Sequence, residues 1–335
     1  MTAEPAPALP LLITGVAGVA GYNALAYFHQ RYPGQVVGIR QEDNWPLSGD
    51  HIVPCNAEDH DGLKSLFDKH RFRAVLDCAG NCALKSCELD PALAWRTNVE
   101  NVTNLLTVIN DADVQLMHLS IDLVFSGTAG GDHVEADPTD PVTEYGKSMA
   151  ATERLIQMAM PAACILRISL PMGISFNGHA GAIDWIQSRF KKSRPATLYY
   201  DEIRTPTYTD CMNRLFEHLL RRPLSGMFHA GGPRRLSLFE IAQVINRVGG
   251  YNPRLLHGCP RIEAGPIPPR AGDVSMDSSK LATAVGYEPF APWPLENWMV
   301  PTHRTWHFER ETGEDGSPEL LANTLYRNSG EVFLS

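Results

Sequence analysis

A doubly wound parallel α/β sheet carrying a smaller mixed lobe is the fold class this chain predicts. Three observations predict it: apolar runs and helical-period segments alternate through the first half, a glycine-rich turn follows the first run, and the alternation loosens after about residue 170. "PLLITG", "QVVGI", "RAVLDCAG", "VQLMHLS" and "AACILRIS" read as strands, being short, apolar and bounded by turn residues. Between them "GYNALAYFHQRY", "DGLKSLFDKH", "PALAWRTNVENVTNLLTVIN" and "SMAATERLIQMA" read as helices, which makes the series a set of βαβ units. In the second half "AIDWIQSRFKK", "CMNRLFEHLLRR" and "SLFEIAQVINRVG" are helical, separated by Pro- and Gly-marked turns. The cluster "AGPIPPRAGD" cannot be helical in its middle and reads as an ordered connection. These features divide the chain into a dinucleotide-binding domain over 1–170, a lobe over 171–298 that partly interleaves with it, and a polar, partly extended tail over 299–335.

Composition narrows the class of ligand. With 335 residues, a formal charge of −9 and no long block of like charges, the chain carries no electrostatic footprint for nucleic acid or an anionic membrane. The expected partner is a small molecule, with a homodimer open as the assembly. No apolar run approaches the roughly 18 residues that span a bilayer, and the Pro/Ala-rich start has the pattern of neither a signal nor a transit peptide. Seven scattered cysteines fit a reducing cytoplasm better than a disulfide framework. Cys78, Cys82 and Cys87 lie close in sequence, but no CxxC pair or nearby His completes a zinc pattern, so they read as small buried or loop residues and no metal is expected.

The strongest chemical signal is "LLITGVAGVAGYNALAYF". Gly15, Gly18 and Gly21 stand at GxxGxxG spacing between a strand and a helix start, with Val16, Ala17 and Val19 between and after them. One glycine permits the tight turn, the next lets backbone N–H groups approach a pyrophosphate, and the third permits close helix–strand packing. That placement makes the segment a Rossmann-type cofactor turn rather than a turn needed only for packing. The following strand ends in Arg40, which either pairs with a 2′-phosphate, favouring NADP over NAD, or is a solvated arginine; Glu42 and Asp43 lie just beyond.

The ordered series "DCAGNCALKSCELDP", "AWRTNVENVTNLL", "HLSIDLVFSGTAGG", "EADPTDPVTEYGKSM", "DEIRTPTYTDC" and "RAGDVSMDSSKL" resembles the dTDP-4-dehydrorhamnose reductase family of extended short-chain dehydrogenase/reductases. The likeness runs from about Leu11 to about Trp298. It implies an NADP- or NAD-dependent reductase acting on a nucleotide-linked keto-sugar, with Gly15, Gly18 and Gly21 on the pyrophosphate. It also implies that Asp77, Cys78, Ala79 and Gly80 line the cofactor and that Asn98 supports the catalytic region. Asn177, Arg204, Thr205 and Arg270 then fall near the substrate; Arg270 either grips a diphosphate or forms an interface ion pair.

Ketone reduction needs a hydride, a proton for the developing alkoxide, and donors that polarise the carbonyl. Tyr145 matches the family's proton donor, and Tyr145 with the residue four places on would also touch the cofactor. That residue is Met149 where the family has Lys, and the family's Ser/Thr position holds Ile121. Lys147 is two residues from Tyr145, where helical side chains do not face each other. Ser120 is adjacent to Ile121 but points to the opposite face of a strand. Asp122 either bonds a substrate hydroxyl, or acts as a base if desolvated, or merely forms a turn. Two functions therefore stand: a reductase with an atypical catalytic set, or a regulatory or scaffold protein that keeps the dinucleotide fold without the reaction.

Overall fold

A computed structural model describes residues 5–44, 46–109, 113–179, 181–309 and 316–327. Its centre is a sheet of β1 (Leu11–Ile13), β2 (Val36–Arg40), β3 (Ile52–Pro54), β4 (Ala74–Asp77), β5 (Gln115–Ile121), β6 (Cys164–Ile168) and β11 (Gly226–Ala230). The spatial order is β11-β6-β5-β4-β1-β2-β3, and every neighbouring pair is parallel. The strands are buried on both faces because helices cover each, which is why they read as continuous apolar runs. Alternation still sorts the side chains: Leu11 and Ile13 join one core cluster while Leu12, between them, joins the other. Strand order reverses beside β1, between β2 and β4, the switch point at which α/β sheets open a crevice for ligands.

Each strand expected from the sequence is present in this sheet, and two of its seven were missed. β3 is three residues long and ends in Pro54, too short to carry a pattern. β11 lies well beyond residue 170 and returns to pair with β6 along Gly226 to Ala230, so the large sheet takes a strand from the second half of the chain.

The helical run after residue 90 is interrupted. It proceeds as α-helix Pro91–Trp95, π-helix Arg96–Glu100 and α-helix Asn101–Ile109. A π-turn inside an α-helix commonly marks a functional site, and here it carries Asn98.

The second lobe is assembled from short pairs. β7 (Pro171–Met172) runs parallel to β10 (Thr207–Tyr208), β8 (Ala196–Tyr199) parallel to β13 (Leu256–Cys259), and β9 (Ile203–Arg204) antiparallel to β12 (Leu236–Ser237). The helix Leu238–Val248 starts on a capping box: Ser237 Oγ accepts from the Glu240 amide and the Glu240 carboxylate from the Ser237 amide. Part of the tail, expected as polar and partly extended, packs against the rest of the chain. Among its described residues Trp306 is buried, and the helix Pro318–Leu325, capped by Ser317, buries Leu321 and Leu325 completely. Those leucines stand four apart and so share one helical face, which docks on the helix Leu238–Val248. Among the described residues, no helix is long and apolar enough to cross a membrane.

Candidate active site

At the carboxyl end of β1, Gly15 has φ of +62°, and a Cβ there would lie 2.2 Å from the Cys78 carbonyl oxygen. Gly21 is equally obligatory, since its Cβ would meet the Gly15 carbonyl at 2.4 Å. Gly18 differs: it is exposed, and the nearest atom to its Cβ would be the Gly15 oxygen at an ordinary 3.4 Å. Internal packing therefore explains Gly15 and Gly21 but not Gly18. The helix Val19–Arg31 that follows has no side-chain cap and no acidic residue in its first turn, so its leading amides remain available to an anion. Val16 and Val19 bury their side chains in the core, leaving only their backbones to this loop.

Beneath the loop is a polar group that the sequence reading missed. Thr14 Oγ1 donates to Asp77 Oδ1 at 2.5 Å and accepts from the Cys78 and Ala79 amides at 3.0 and 3.1 Å. The other Asp77 oxygen is 2.7 Å from His118 Nδ1. Asp77 is 1% exposed, so its carboxylate does not line the cofactor crevice as expected; it fixes the turn from below. The only available signal was a hydroxyl directly before Gly15.

Asn98 connects this turn to the helix that carries Tyr145. Its Oδ1 accepts from the Asn81 amide at 2.7 Å and lies where a Cβ on Gly80 would come within 2.9 Å. Its Nδ2 donates to Ser148 Oγ at 2.8 Å, and Ser148 in turn donates to the Tyr145 carbonyl at 2.7 Å. The π-helix turns Asn98 inward, where it is 1% exposed. Within "YGKSM", then, Ser148 is the inward-facing helper. Lys147 points out and pairs with Glu144 at 2.6 Å, as the two-residue spacing requires.

Tyr145 opens the helix Glu144–Ala159, whose N-cap Thr143 accepts from the Gly146 amide at 3.0 Å. A Cβ on Gly146 would stand 2.2 Å from the Leu123 carbonyl, so this glycine lets the helix start press against the turn Asp122–Val124. Burial, then the nearby Cys82 thiol and Asp122 carboxylate, push the Tyr145 phenol well above its usual range. Tyr145 thus holds its proton at neutral pH, the state a proton donor needs. Ile121 and Met149 lie in the same core cluster as Tyr145, 9% and 3% exposed. A thioether so enclosed offers no charge and only a weak acceptor, so Met149 does not supply the polar cofactor contact expected at its position.

The two other catalytic candidates are engaged elsewhere. Ser120, on the opposite face of β5 from Ile121, donates to Glu153 Oε1 at 2.5 Å. Glu153 is held by Arg167 through two bonds of 2.8 Å, and Arg167 Nη1 lies 3.2 Å from His229 Nε2. Asp122 is wholly buried; its oxygens take Arg204 Nε at 2.7 Å, Arg204 Nη2 at 2.6 Å and Ser169 Oγ at 2.6 Å. Neither Ser120 nor Asp122 is free to act on a substrate, and Arg204, expected near the substrate, is the clamp on Asp122. Burial raises the Asp122 carboxyl against the lowering effect of Arg204 and Ser169.

The remaining substrate candidates are spread over the lobe. Thr205 donates its amide to Ser169 at 3.1 Å and buries a hydroxyl that has no partner among the described residues. Arg270 lies 3.6 Å from buried Glu202 and over the Tyr199 ring at 4.8 Å, half-buried. Glu202 also faces Arg204 at 3.8 Å, so charges alternate inward from Arg270 to Asp122. Asn177 is exposed and caps its own turn through the His179 amide at 2.9 Å. Arg40 folds over the loop after β2, donating to the Gln41 and Glu42 carbonyls at 2.8 and 2.9 Å. Of the three clustered cysteines Cys87 is buried, Cys78 half-buried and Cys82 exposed, and burial raises the Cys87 thiol to about 11.

A family model described as the RmlD substrate binding domain matches residues 9–295. The chain belongs to that family. Among curated relatives of this RmlD-family chain is a dTDP-4-dehydrorhamnose reductase of Streptomyces griseus, 26% identical over 299 residues, covering 87% of this chain and 92% of the relative. Another is methionine adenosyltransferase 2 subunit beta of Danio rerio, 23% identical, covering 81% and 83%. The solved structure of a dTDP-4-dehydrorhamnose reductase from Bacillus anthracis str. Ames in complex with NADP matches with a TM-score of 0.70 at 20% identity, covering 84% of this chain and 95% of that one. At that identity the likeness establishes the shared Rossmann-like fold.

Proposed function

We propose that this RmlD-family chain is an NADP- or NAD-dependent reductase of a nucleotide-linked keto-sugar, with Tyr145 as proton donor and an otherwise reduced catalytic set. The observation that carries this reading is the exposed Gly18 on an uncapped helix, in a loop whose Gly15 lies against the Cys78–Ala79 turn, from which Asn81, Asn98 and Ser148 lead to the backbone of Tyr145. Backbone amides of the Gly15–Val19 turn would hold the pyrophosphate, with Cys78, Ala79 and Gly80 along its other side. When bound, the dinucleotide supplies the hydride. Tyr145 then gives its proton to the carbonyl oxygen, and its raised pKa keeps it loaded for that direction. Arg270 would take the diphosphate of the sugar nucleotide, with Asn177 and Thr205 as the lobe's other substrate candidates. Arg40 holds its two carbonyls through Nη1, which leaves Nη2 as the group that would take a 2′-phosphate. The names of the Streptomyces and Bacillus proteins, and the NADP of the latter, support this substrate and cofactor class.

A second reading, a dinucleotide-binding regulatory protein without turnover, is favoured by Ile121 and Met149 packed beside Tyr145 while Ser120 and Asp122 are engaged in buried ion-pair networks. The Danio rerio relative bears the name of a subunit of another enzyme. Incubating the pure chain with NADPH or NADH and a panel of dTDP-4-keto-6-deoxysugars separates the two: cofactor oxidation supports the reductase, and cofactor binding without oxidation supports the regulator.

A further inference from the structure

A cavity of about 260 Å³ opens between the helices Val19–Arg31 and Thr209–Arg221 and is closed on a third side by Tyr326 and Arg327. Its wall includes none of Gly15, Gly18, Tyr145 or Arg270. Asn23, Tyr27 and Arg31 reach it from one face of the first helix, at spacings of four. The volume lies just below the usual range of about 300–1,000 Å³ for small-molecule sites.

Its charge is unlike that of the chain around it. Arg31, Arg214 and Arg327 converge on the cavity, whereas the only carboxylate among its lining residues is that of Asp210. One Asp210 oxygen takes Arg214 at 2.9 Å and Arg327 at 3.4 Å; the neighbouring Glu217 is held by Tyr27, Tyr32 and Arg221 and lies 3.5 Å from Arg31, so with Arg221 counted four arginines face two carboxylates. The wall therefore keeps an excess of two positive charges in a protein of formal charge −9. Two acceptors in the same wall have no partner among the described residues: Asp210 Oδ1 and Asn213 Oδ1, on side chains 6% and 3% exposed. Buried acceptors without donors are uncommon in folded proteins, and both belong to the residues that border the positive patch.

We propose that this cavity binds a small phosphorylated polyol. The phosphoryl dianion answers the two surplus guanidinium charges, whose planar forks suit phosphate oxygens. Ligand hydroxyls supply the donors that Asp210 and Asn213 lack. The site also touches the cofactor helix: Asn23 donates to the Val19 and Ile174 carbonyls at 2.7 Å each, and its own carbonyl accepts from Asn213 at 3.1 Å. Occupancy is thereby transmitted to the first turn of the helix that begins at Gly18.

The test is calorimetric titration of the full chain with glycerol 3-phosphate in low-salt chloride buffer, with inorganic phosphate and glycerol as separate titrants. Saturable binding is expected, weakened roughly tenfold or more by Arg31→Ala and by Arg327→Ala and unaltered by Tyr145→Phe. Arg31 is 46% exposed and contacts Glu217 and the Tyr27 ring, so its removal leaves the core intact. Absence of binding, or binding by both arginine variants as tight as that of the wild type, would overturn the site. Inorganic phosphate binding as tightly as glycerol 3-phosphate would overturn the role given to Asp210 and Asn213.

Discussion

Replacing Arg204 by Met removes the cation that two buried carboxylates share. Asp122, with no exposed surface, loses both guanidinium bonds and keeps Ser169, while Glu202 keeps its ion pair with Arg270 at 3.6 Å. Breaking a buried pair by deleting one partner costs about 3–5 kcal/mol, because the remaining charge is left uncompensated. An unfolding entropy of about 2.1 cal/mol/K per residue gives roughly 0.7 kcal/mol/K for a chain of this size, so Tm should fall by about 4–7 °C. Adding Asp122→Asn should recover part of that loss, since the stranded charge is gone. Differential scanning calorimetry of the wild type, both single variants and the double variant at neutral pH reads the effect. An Arg204→Met protein with Tm within about 1 °C of wild type, yet weakened for a sugar nucleotide, would refute the reasoning and return Arg204 to the substrate.

Gly18→Ala should fold normally, because its Cβ meets nothing closer than 3.4 Å, yet lose roughly tenfold or more in NADPH affinity; Gly15→Ala should instead lower soluble yield and Tm. Both are checked by thermal unfolding alongside cofactor titration. The pair Ile121→Thr and Met149→Lys should raise keto-sugar reduction by roughly 100-fold while lowering Tm, as the lysine enters a site 3% exposed. Burial lowers His229 and His307 each to about 4. These histidines take up protons on unfolding, so the stability tied to their neutral forms is full above about pH 6.5 and is lost as pH falls toward 4. Unfolding midpoints measured across that window should decline, and less steeply in His307→Gln, whose ring faces the Gln243 amide at 3.0 Å.

The alternation of runs made the large sheet legible, together with the glycine turn at its switch point. β11 escaped because its partner β6 lies some sixty residues earlier, and pairing at that distance leaves no local pattern. At the candidate site, Tyr145, Asn98 and the glycines were nominated from the sequence, and helical geometry alone turned Lys147 outward. It could not show what engages Ser120 and Asp122, because Glu153 and Arg204 are 33 and 82 residues away. Thr14 and Ser148 were visible only as hydroxyls beside better-known neighbours. Their roles follow from the buried acceptors and amides that the fold brings to them.

Cofactor oxidation by wild type and Tyr145→Phe, each saturated with NADPH and offered dTDP-4-keto-6-deoxysugars, tests the reductase reading most directly. Slow turnover by the wild type is expected, falling roughly 100-fold or more in the Phe variant with NADPH affinity and Tm retained. The wild-type rate should stay level from about pH 6 to 9, because Tyr145 keeps its proton throughout. NADPH binding with no oxidation of any keto-sugar, or turnover that survives the loss of the Tyr145 hydroxyl, would contradict it.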